Sequence, residues 1–374
     1  MDRGARVVID RALVEAAARL RRQSEPYVVA TVVRPDRRSA AGARLILGRY
    51  RWIAGTVSGG ALDGELSSSA WMHTKESGPV VMTYGASHPD IANDDELRAA
   101  FGLGDGGTAD VMLELAGQPG RLDVLELATR CTRQQRRAAV ATVIASETAS
   151  VRIGTRLALL AGGDVEQEAA PLDAELRDAI CVDLRAVMES GSTTTKQLGG
   201  VEVLLEAIVP PPRLFVLGDS HDLVPLAQLA KHAGWEIVIC AEAPRHSLRE
   251  RFVMADEILV GDCEDFAVRI EQSDRAACVI ASHDVDRDRA NLALLRDTKA
   301  KYIGVAGSRV ARLAPDDDRV HELLGDTPFD RAFTAISEAR ASMATRLPGA
   351  DRSGSMERPV PSRPSAVFAA VLAL

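Results

Sequence analysis

Residues 210–222 read PPPRLFVLGDSHD and divide the chain into two parts of different pattern. Pro210, Pro211 and Pro212 can neither continue a helix nor pair in the centre of a sheet, so they predict a domain boundary. Apolar strands alternate with helical patterns after this boundary, which is typical of a doubly wound parallel sheet. The predicted strands are residues 213–217, 235–240, 257–260, 277–281 and 302–305, with helices at 223–233 and 290–297.

The residues before the three prolines also mix helices and strands. Helical spacing occupies residues 10–21, 62–74, 94–101 and 173–188, and strand patterns occupy 27–33, 45–53, 80–84, 111–115, 138–144, 156–160 and 201–208. Residues 191–200 predict a polar, threonine-rich turn, and the sequence shows no internal repeat. We therefore predict an N-terminal mixed α/β domain over residues 1–209, a Rossmann-like domain over 210–330, and a C-terminal helix with a poorly ordered tail over 331–374.

Length and charge limit the kind of protein this is. A chain of 374 residues exceeds what one hydrophobic core usually serves, and its formal net charge of −8 argues against a general role on nucleic acids or membrane surfaces. The five cysteines form no CxxC pair, which fits reduced thiols and gives no zinc site, and Cys240 and Cys278 fall in strands as core thiols. No signal peptide or apolar run of about 20 residues is present, so we expect a soluble cytoplasmic protein.

Two glycine-rich stretches in the N-terminal domain are the clearest indication of a ligand site. Residues 102–107 read GLGDGG and precede a strand, and residues 55–65 read GTVSGGALDGE and follow one. Glycine clusters lose much backbone entropy on folding, so they favour places where main chain must approach a ligand closely. Tight turns of an ordinary sheet are the alternative interpretation. Six arginines between Arg34 and Arg51 form a basic island that is either a phosphate site or a solvated surface.

The turn after residues 213–217 departs from the dinucleotide-binding pattern GxGxxG. Gly218 supplies the first glycine, but Ser220 and Leu223 occupy the other two positions. Asp219 and Asp222 place carboxylates where a pyrophosphate would lie, and we expect one of them to cap the following helix. Glu242 stands near the position of a ribose-binding acid. The pattern therefore disfavours NAD(P) binding.

Polar residues follow several strands of the second domain. His221 comes after the first strand, Ser282, His283 and Asp284 after the fourth, and residues 307–309 after the fifth. Because the carboxyl ends of parallel strands share one edge of a sheet, we expect these residues to converge on a site there. The alternative is that His221 and His283 are hydrogen-bonded turn residues and that Asp284, Asp286 and Asp288 cap the next helix.

Six segments between Ala30 and Arg309 resemble the XdhC/CoxI family in their order and spacing. They read ATVVRPDRRSAAGARLIL, GTVSGGALDGEL, GLGDGGTADVMLE, VEVLLEAIVPPPRLFVLGDSHD, ASHDVDRD and YIGVAGSR. The family comprises accessory proteins of xanthine dehydrogenase and carbon monoxide dehydrogenase. The resemblance implies a dimeric chaperone that performs no turnover of its own. It implies that molybdenum cofactor (molybdopterin) is bound as cargo, presented to a cysteine desulfurase for sulfuration, and delivered to a molybdenum hydroxylase apoenzyme.

The resemblance and the residue chemistry together give one set of candidate cofactor-binding residues. They are Arg38, Arg44, Ser58, Gly59, Gly60, Gly104, Asp105, Gly106, Gly107, Gly218, His221, His283, Asp284, Gly307, Ser308 and Arg309. A carboxylate such as Asp105 can accept from the donor edge of a pterin, and an arginine can bind its phosphate.

The chain departs from the family pattern at three positions. Many family members carry cysteine where Asp105 and Ala61 stand here, and a basic residue where Val310 stands. Sulfur chemistry therefore cannot run through positions 61 and 105. Two other functions remain open: an NAD(P)-dependent oxidoreductase that uses the second domain, and an interaction module that has lost cofactor binding.

Overall fold

The computed structural model describes residues 9–35, 39–49, 51–58, 61–74, 78–85, 108–168, 172–242, 247–306, 308–311, 313–314 and 316–345. These residues form two antiparallel five-stranded sheets followed by one parallel six-stranded sheet. The mixed α/β class of the N-terminal part and the Rossmann-like class of the C-terminal part are thus confirmed. The predicted helix at residues 94–101 and the tail beyond residue 345 lie outside the described residues.

The first sheet follows an amphipathic helix that buries Leu13, Ala16, Ala17 and Leu20. Its strands lie in the order β3-β2-β1-β5-β4. Residues 45–53, predicted as one strand, form two strands that fold back on each other. The elements are α1 (Arg11–Arg22), β1 (Val28–Arg34), β2 (Arg44–Gly48), β3 (Arg51–Gly55), α2 (Ala61–Thr74), β4 (Val80–Gly85) and β5 (Thr108–Leu115).

The second sheet has the order β8-β7-β6-β10-β9. The predicted turn at residues 191–200 is wrong, because Thr193–Leu198 pairs with the next strand and only Gly199 and Gly200 form the turn, both with positive φ. The elements are α3 (Val124–Gln134), β6 (Ala138–Ser146), β7 (Arg156–Leu160), β8 (Val165–Gln167), α4 (Ala174–Ser190), β9 (Thr193–Leu198) and β10 (Val201–Ile208).

These two sheets are a structural duplication. In the described residues, each begins with a helix, continues with three strands, a second helix and two strands, and arranges the strands in the same order. The expectation of no internal repeat is therefore wrong at the level of topology. The repeat is hidden in the sequence because the connections differ: residues 86–107 join β4 to β5, whereas Gly199 and Gly200 alone join β9 to β10.

Ion pairs, one of them fully buried, link the two duplicated sheets. Arg44 on β2 lies 2.7 Å from Glu206 on β10, and both side chains are almost completely buried. Arg156 on β7 donates to Glu114 on β5 at 2.9 Å, and Arg34 on β1 donates to Glu202 on β10 at 3.0 Å. Apolar residues from both sheets pack beside these pairs: Val33, Ala41, Met112, Ile144 and Leu204.

The C-terminal sheet is parallel and has the order β13-β12-β11-β14-β15-β16. This is the strand order of dinucleotide-binding folds, with the switch point between β11 and β14. Its elements are β11 (Arg213–Leu217), α5 (Val224–His232), β12 (Glu236–Ala241), α6 (Ser247–Arg251), β13 (Glu257–Val260), α7 (Cys263–Glu271), β14 (Ala276–Ile280), α8 (Val285–Arg296), β15 (Tyr302–Val305), α9 (Ser308–Ala311), β16 (Val320–Glu322) and α10 (Pro328–Thr345).

Helix α10 is part of this Rossmann-like domain. Its residues Ala332, Ala335, Ile336 and Ala339 join the core cluster that contains Leu226 and Ala230 of α5. The boundary predicted at residue 330 therefore falls inside a helix. Cys240 and Cys278 are buried in β12 and β14, which confirms them as core thiols.

Polar contacts from α1 and α3 connect the N-terminal part to the Rossmann-like domain. Arg11 of α1 donates to Asp256 at 3.0 Å and to the Trp235 carbonyl at 3.2 Å. Gln135, which ends α3, donates to Glu236 at 2.9 Å. Burial raises the pKa of Asp256, but hydrogen bonds from Arg11, Lys231 and the Ile237 amide outweigh this and leave the pKa below its ordinary value.

We expect Arg44→Met to destabilise the N-terminal part by about 3–5 kcal/mol, because it leaves Glu206 buried without its cation. The double variant Arg44→Met/Glu206→Leu should recover much of this loss. Lys196→Met, which removes an exposed partner of Asp183, is the control and should change stability by less than about 1 kcal/mol. Thermal unfolding by calorimetry measures all three. Equal loss in the single and double variants would contradict the ion-pair interpretation.

The lowered pKa of Asp256 predicts a pH-dependent contribution to stability. The ionised carboxylate stabilises the fold above the ordinary aspartate pKa of about 3.9, and this contribution disappears as pH falls through the lower folded pKa. Asp256→Asn should therefore lower the melting temperature at pH 7 and differ less from the unsubstituted protein near pH 3. Asp286→Asn, at an exposed carboxylate, serves as the control. A constant difference from pH 7 to pH 3 would be inconsistent with this assignment.

Candidate functional site

The carboxyl ends of β11 and β14 approach each other closely at Gly218. Gly218 has φ +149°, and a Cβ placed on it would lie 2.3 Å from the Ala281 carbonyl oxygen. The Ala281 amide donates to the Leu217 carbonyl at 3.0 Å, so the two turns are held together by main chain. A side chain at position 218 would push these turns apart.

The turns after β11 and β14 bring predicted polar residues into contact. His283 Nε2 lies 3.3 Å from Asp222 Oδ1, although 61 residues separate them in the chain. His283 has φ +63°, a left-handed conformation that is uncommon for residues other than glycine. The predicted convergence of His283 with the first turn is confirmed, and His221 lies exposed at the start of that same turn.

The carboxylate of Asp222 is the centre of this contact. It accepts from the Ser220 hydroxyl and faces His283, and Arg331 of α10 lies 3.8 Å away. Burial raises the pKa of Asp222, but the hydrogen bonds from Ser220 and His283 lower it more, so the pKa is below its ordinary value. Asp222 therefore stays ionised at neutral pH.

Two other acids at this edge accept hydrogen bonds from main-chain amides. Asp284 accepts from the amides of Asp286 and Arg287 at 3.0 and 3.1 Å, so it caps α8 as the alternative interpretation expected. Buried Asp288 accepts from the amide and hydroxyl of Ser282. The expected helix cap from Asp219 or Asp222 is wrong: the N-cap positions after β11 are Ser220 and Leu223, and neither makes a side-chain capping bond.

The space between Asp222 and helix α10 is small. The cavity beside Asp222, Ala281 and Arg331 measures about 20 Å³, room for about one water molecule. Glu242 follows β12, where a ribose-binding acid belongs, but its carboxylate lies 2.6 Å from Arg287 Nε.

The described part of the first glycine-rich stretch is held by Asp63. Its Oδ1 accepts from the Val57 amide at 3.0 Å and the Ser58 amide at 3.3 Å, and its Oδ2 accepts from the Thr56 hydroxyl. These two amides are therefore occupied by a side chain instead of being directed at a ligand. The sequence shows Asp63 at the start of α2, but its role in fixing the turn depends on the fold.

The remaining predicted residues divide into three groups. Contrary to the prediction, Arg44 is not available to a ligand. Its guanidinium is buried against Glu206 and the Gly42 carbonyl, and it joins the two N-terminal sheets. Ser308 and Arg309 begin the short helix α9, and nothing is described of their side chains. The residues that lie outside the described part of the chain are Arg38, Gly59, Gly60, Gly104, Asp105, Gly106, Gly107 and Gly307.

Sequence reasoning missed a cavity of about 1010 Å³ at the opposite edge of the parallel sheet. It lies between α1 and α3 of the N-terminal part and the starts of β11 and β12 in the Rossmann-like domain. Its lining comes from distant segments, so no local motif marks it.

Among the helices that the structure describes, none combines the length and the apolar character needed to cross a membrane.

Comparison with known proteins agrees with this architecture. Residues 20–85 match the XdhC and CoxI family, and residues 214–330 match the XdhC Rossmann domain. The chain belongs to the XdhC and CoxI family. The first match covers the first sheet as far as β4, and the second begins in β11 and ends in the first turn of α10.

Two individual relatives are informative at different levels. A probable xanthine dehydrogenase subunit of Bacillus subtilis (strain 168) is 28% identical over 106 residues, which cover 28% of this chain and 32% of that protein. A crystal structure from Bacillus halodurans, described as that of a xanthine dehydrogenase, matches with a TM-score of 0.67 and 20% identity over 91% of this chain and 98% of that one. At this identity, the structural match shows a shared fold.

We expect Gly218→Ala to destabilise the Rossmann-like domain by about 3 kcal/mol, because alanine is strained at this φ and its Cβ meets the Ala281 carbonyl. Gly64→Ala is the matched control, since Gly64 lies in α2 with no neighbouring atom within 4 Å. That control should be neutral or stabilising by up to about 1 kcal/mol. Calorimetric melting temperatures test both, and an unchanged melting temperature for Gly218→Ala would refute the close-approach argument.

Proposed function

We propose that this protein is an accessory factor for a xanthine dehydrogenase-type molybdenum hydroxylase, and that it binds molybdenum cofactor as cargo for delivery to the apoenzyme. The observation that carries the proposal is the match of both parts of the chain, residues 20–85 and 214–330, to the XdhC and CoxI family. The name of the Bacillus subtilis relative supports the same class of client enzyme. The proposal includes cytoplasmic location, a homodimer and a cysteine desulfurase as a second partner.

The structural duplication supports a ligand role for the glycine-rich stretches. The second sheet builds the same topology with residues 168–173, which contain no glycine, where the first sheet has residues 56–60 with Gly59 and Gly60. Residues 86–107 replace what is a two-glycine turn in the second sheet. The fold therefore does not require the extra glycines or the long connection. Long glycine-rich connections of this kind are typical of binding loops.

Each group of residues has a role in the proposal. Asp63 fixes the turn at residues 56–58, so Gly59 and Gly60 follow a rigid support. Asp105 accepts hydrogen bonds from the donor edge of the pterin, and Arg38 and Arg309 bind its phosphate. The contact between His283 and Asp222 provides a polar rim at the carboxyl edge of the parallel sheet.

The two other functions are weaker on specific grounds. An NAD(P)-dependent oxidoreductase needs to bind a pyrophosphate beside Gly218, but Ser220 and Leu223 replace the other two glycines of the pattern and Asp222 is ionised in the same turn. An interaction module without cofactor would need no glycine-rich connection in one sheet that its duplicate lacks. That second alternative predicts no bound pterin.

The test is to purify the full chain from cells that make molybdenum cofactor, oxidise the released pterin, and measure its fluorescence. We expect pterin to co-purify, and Asp105→Ala and His283→Ala each to reduce the bound amount about tenfold. His232→Ala, which alters a histidine on α5, is the control and should retain pterin. Absence of pterin from the unsubstituted protein would overturn the proposal and favour the interaction module.

A further inference from the structure

The cavity of about 1010 Å³ lies at the joint between the N-terminal part and the Rossmann-like domain. Arg11, Asp256, Trp235 and Glu236 all line it, and these residues make polar contacts between the two parts. Clefts at domain interfaces are common places for small-molecule sites, and this volume is at the upper end of their usual range. A molecule in this cavity would touch both parts of the protein.

Six arginines of the described residues line the cavity, and they differ in what they bind. Four have acceptors within the protein: Arg11 with Asp256, Arg213 with Glu236, Arg269 with Glu257, and Arg275 with the Pro210 carbonyl. Arg133 and Arg340 are exposed and have no hydrogen-bond or ion-pair partner among the residues that the structure describes. An anion in the cavity can therefore bind these two guanidinium groups without breaking any pair formed within the described part of the chain.

The two unpaired arginines come from different parts of the chain. Arg133 lies in the last turn of α3, and Arg340 lies in the second half of α10. A phosphate group carries nearly twice the negative charge of a carboxylate and has three oxygens that accept hydrogen bonds, so it can balance two guanidinium groups at once. The arrangement thus favours a phosphorylated ligand that bridges the two parts.

Apart from Asp10, which caps α1, and Glu15, which pairs with Arg11, much of the remaining lining suits an apolar or aromatic ligand body. Val14, Ala128, Pro211, Pro212 and Met343 contribute apolar surface between the charged groups. The carboxylates of Asp256, Glu236 and Glu257 are each neutralised by an arginine, so they repel an anion less than free acids would. Phosphorylated heterocycles such as nucleotides combine an apolar ring with an anionic end.

We propose that this cavity is a binding site for a phosphorylated heterocycle, with Arg133 and Arg340 binding the phosphate. The site lies at the amino edge of the parallel sheet, away from the polar rim formed by Asp222 and His283 at the carboxyl edge. It does not depend on the proposed cofactor role. A free nucleotide and a phosphorylated pterin share the required chemistry, and the experiment separates these two sources.

The test is isothermal titration calorimetry of the full chain with ATP, CTP and inorganic pyrophosphate at low salt. We expect at least one nucleotide to bind in the micromolar range and more tightly than pyrophosphate, because the ring adds apolar contact. Arg133→Ala and Arg340→Ala should each weaken binding about tenfold, and the double variant further. Arg22→Ala, at an exposed arginine of α1 that does not line the cavity, should bind as the unsubstituted protein does.

Pterin retention in the Arg133→Ala/Arg340→Ala variant completes the test. Loss of co-purifying pterin without nucleotide binding would support the site and identify a phosphorylated pterin as its ligand, with its phosphate on Arg133 and Arg340 instead of Arg38 and Arg309. Nucleotide binding that is unchanged in the double variant would overturn the proposal, as would the absence of nucleotide binding together with unchanged pterin retention. Failure of the proposed cofactor role is distinguishable, because it requires that the unsubstituted protein itself carry no pterin.

Discussion

The buried ion pair between Arg44 and Glu206 sets the arrangement of the N-terminal part. A guanidinium removed from water needs a carboxylate in contact, and this one finds it on the other sheet. The pair between Arg156 and Glu114 imposes the same requirement further along the interface. Because both pairs fix the two sheets at a defined position, they also fix where α1 and α3 face the Rossmann-like domain. The joint between the two parts of the chain depends on this placement.

The two duplicated sheets of the N-terminal part can be compared with each other, connection by connection. One copy connects its last two strands with two glycines, and the other uses residues 86–107 for the same connection. The second copy has the same strand order without the longer connection, and the ligand role proposed for the glycine-rich stretch rests on this difference. In the second copy, Gly199 and Gly200 close the turn and both have positive φ.

The Rossmann-like domain keeps the strand order of dinucleotide-binding proteins but differs at its carboxyl edge. Asp222 is held ionised by Ser220 and His283, and little space remains between this turn and α10. Open space lies at the other edge of the sheet, where the two parts of the chain meet. The domain therefore presents a polar rim at one edge and a cleft lined by arginines at the other.

Sequence alone determined the parallel domain, its boundary at Pro210–Pro212 and the contact expected between the turns of β11 and β14, because strand alternation and the shared edge of parallel strands follow from local pattern. It also indicated the glycine-rich stretches as sites. Only the tertiary structure decided that Arg44 is a structural residue, that residues 193–198 form a strand, and that the two N-terminal sheets are duplicates. Each of these features depends on partners that are distant in the chain, as Glu206 is for Arg44, or on the order of whole strands. Local periodicity carries no information about such partners.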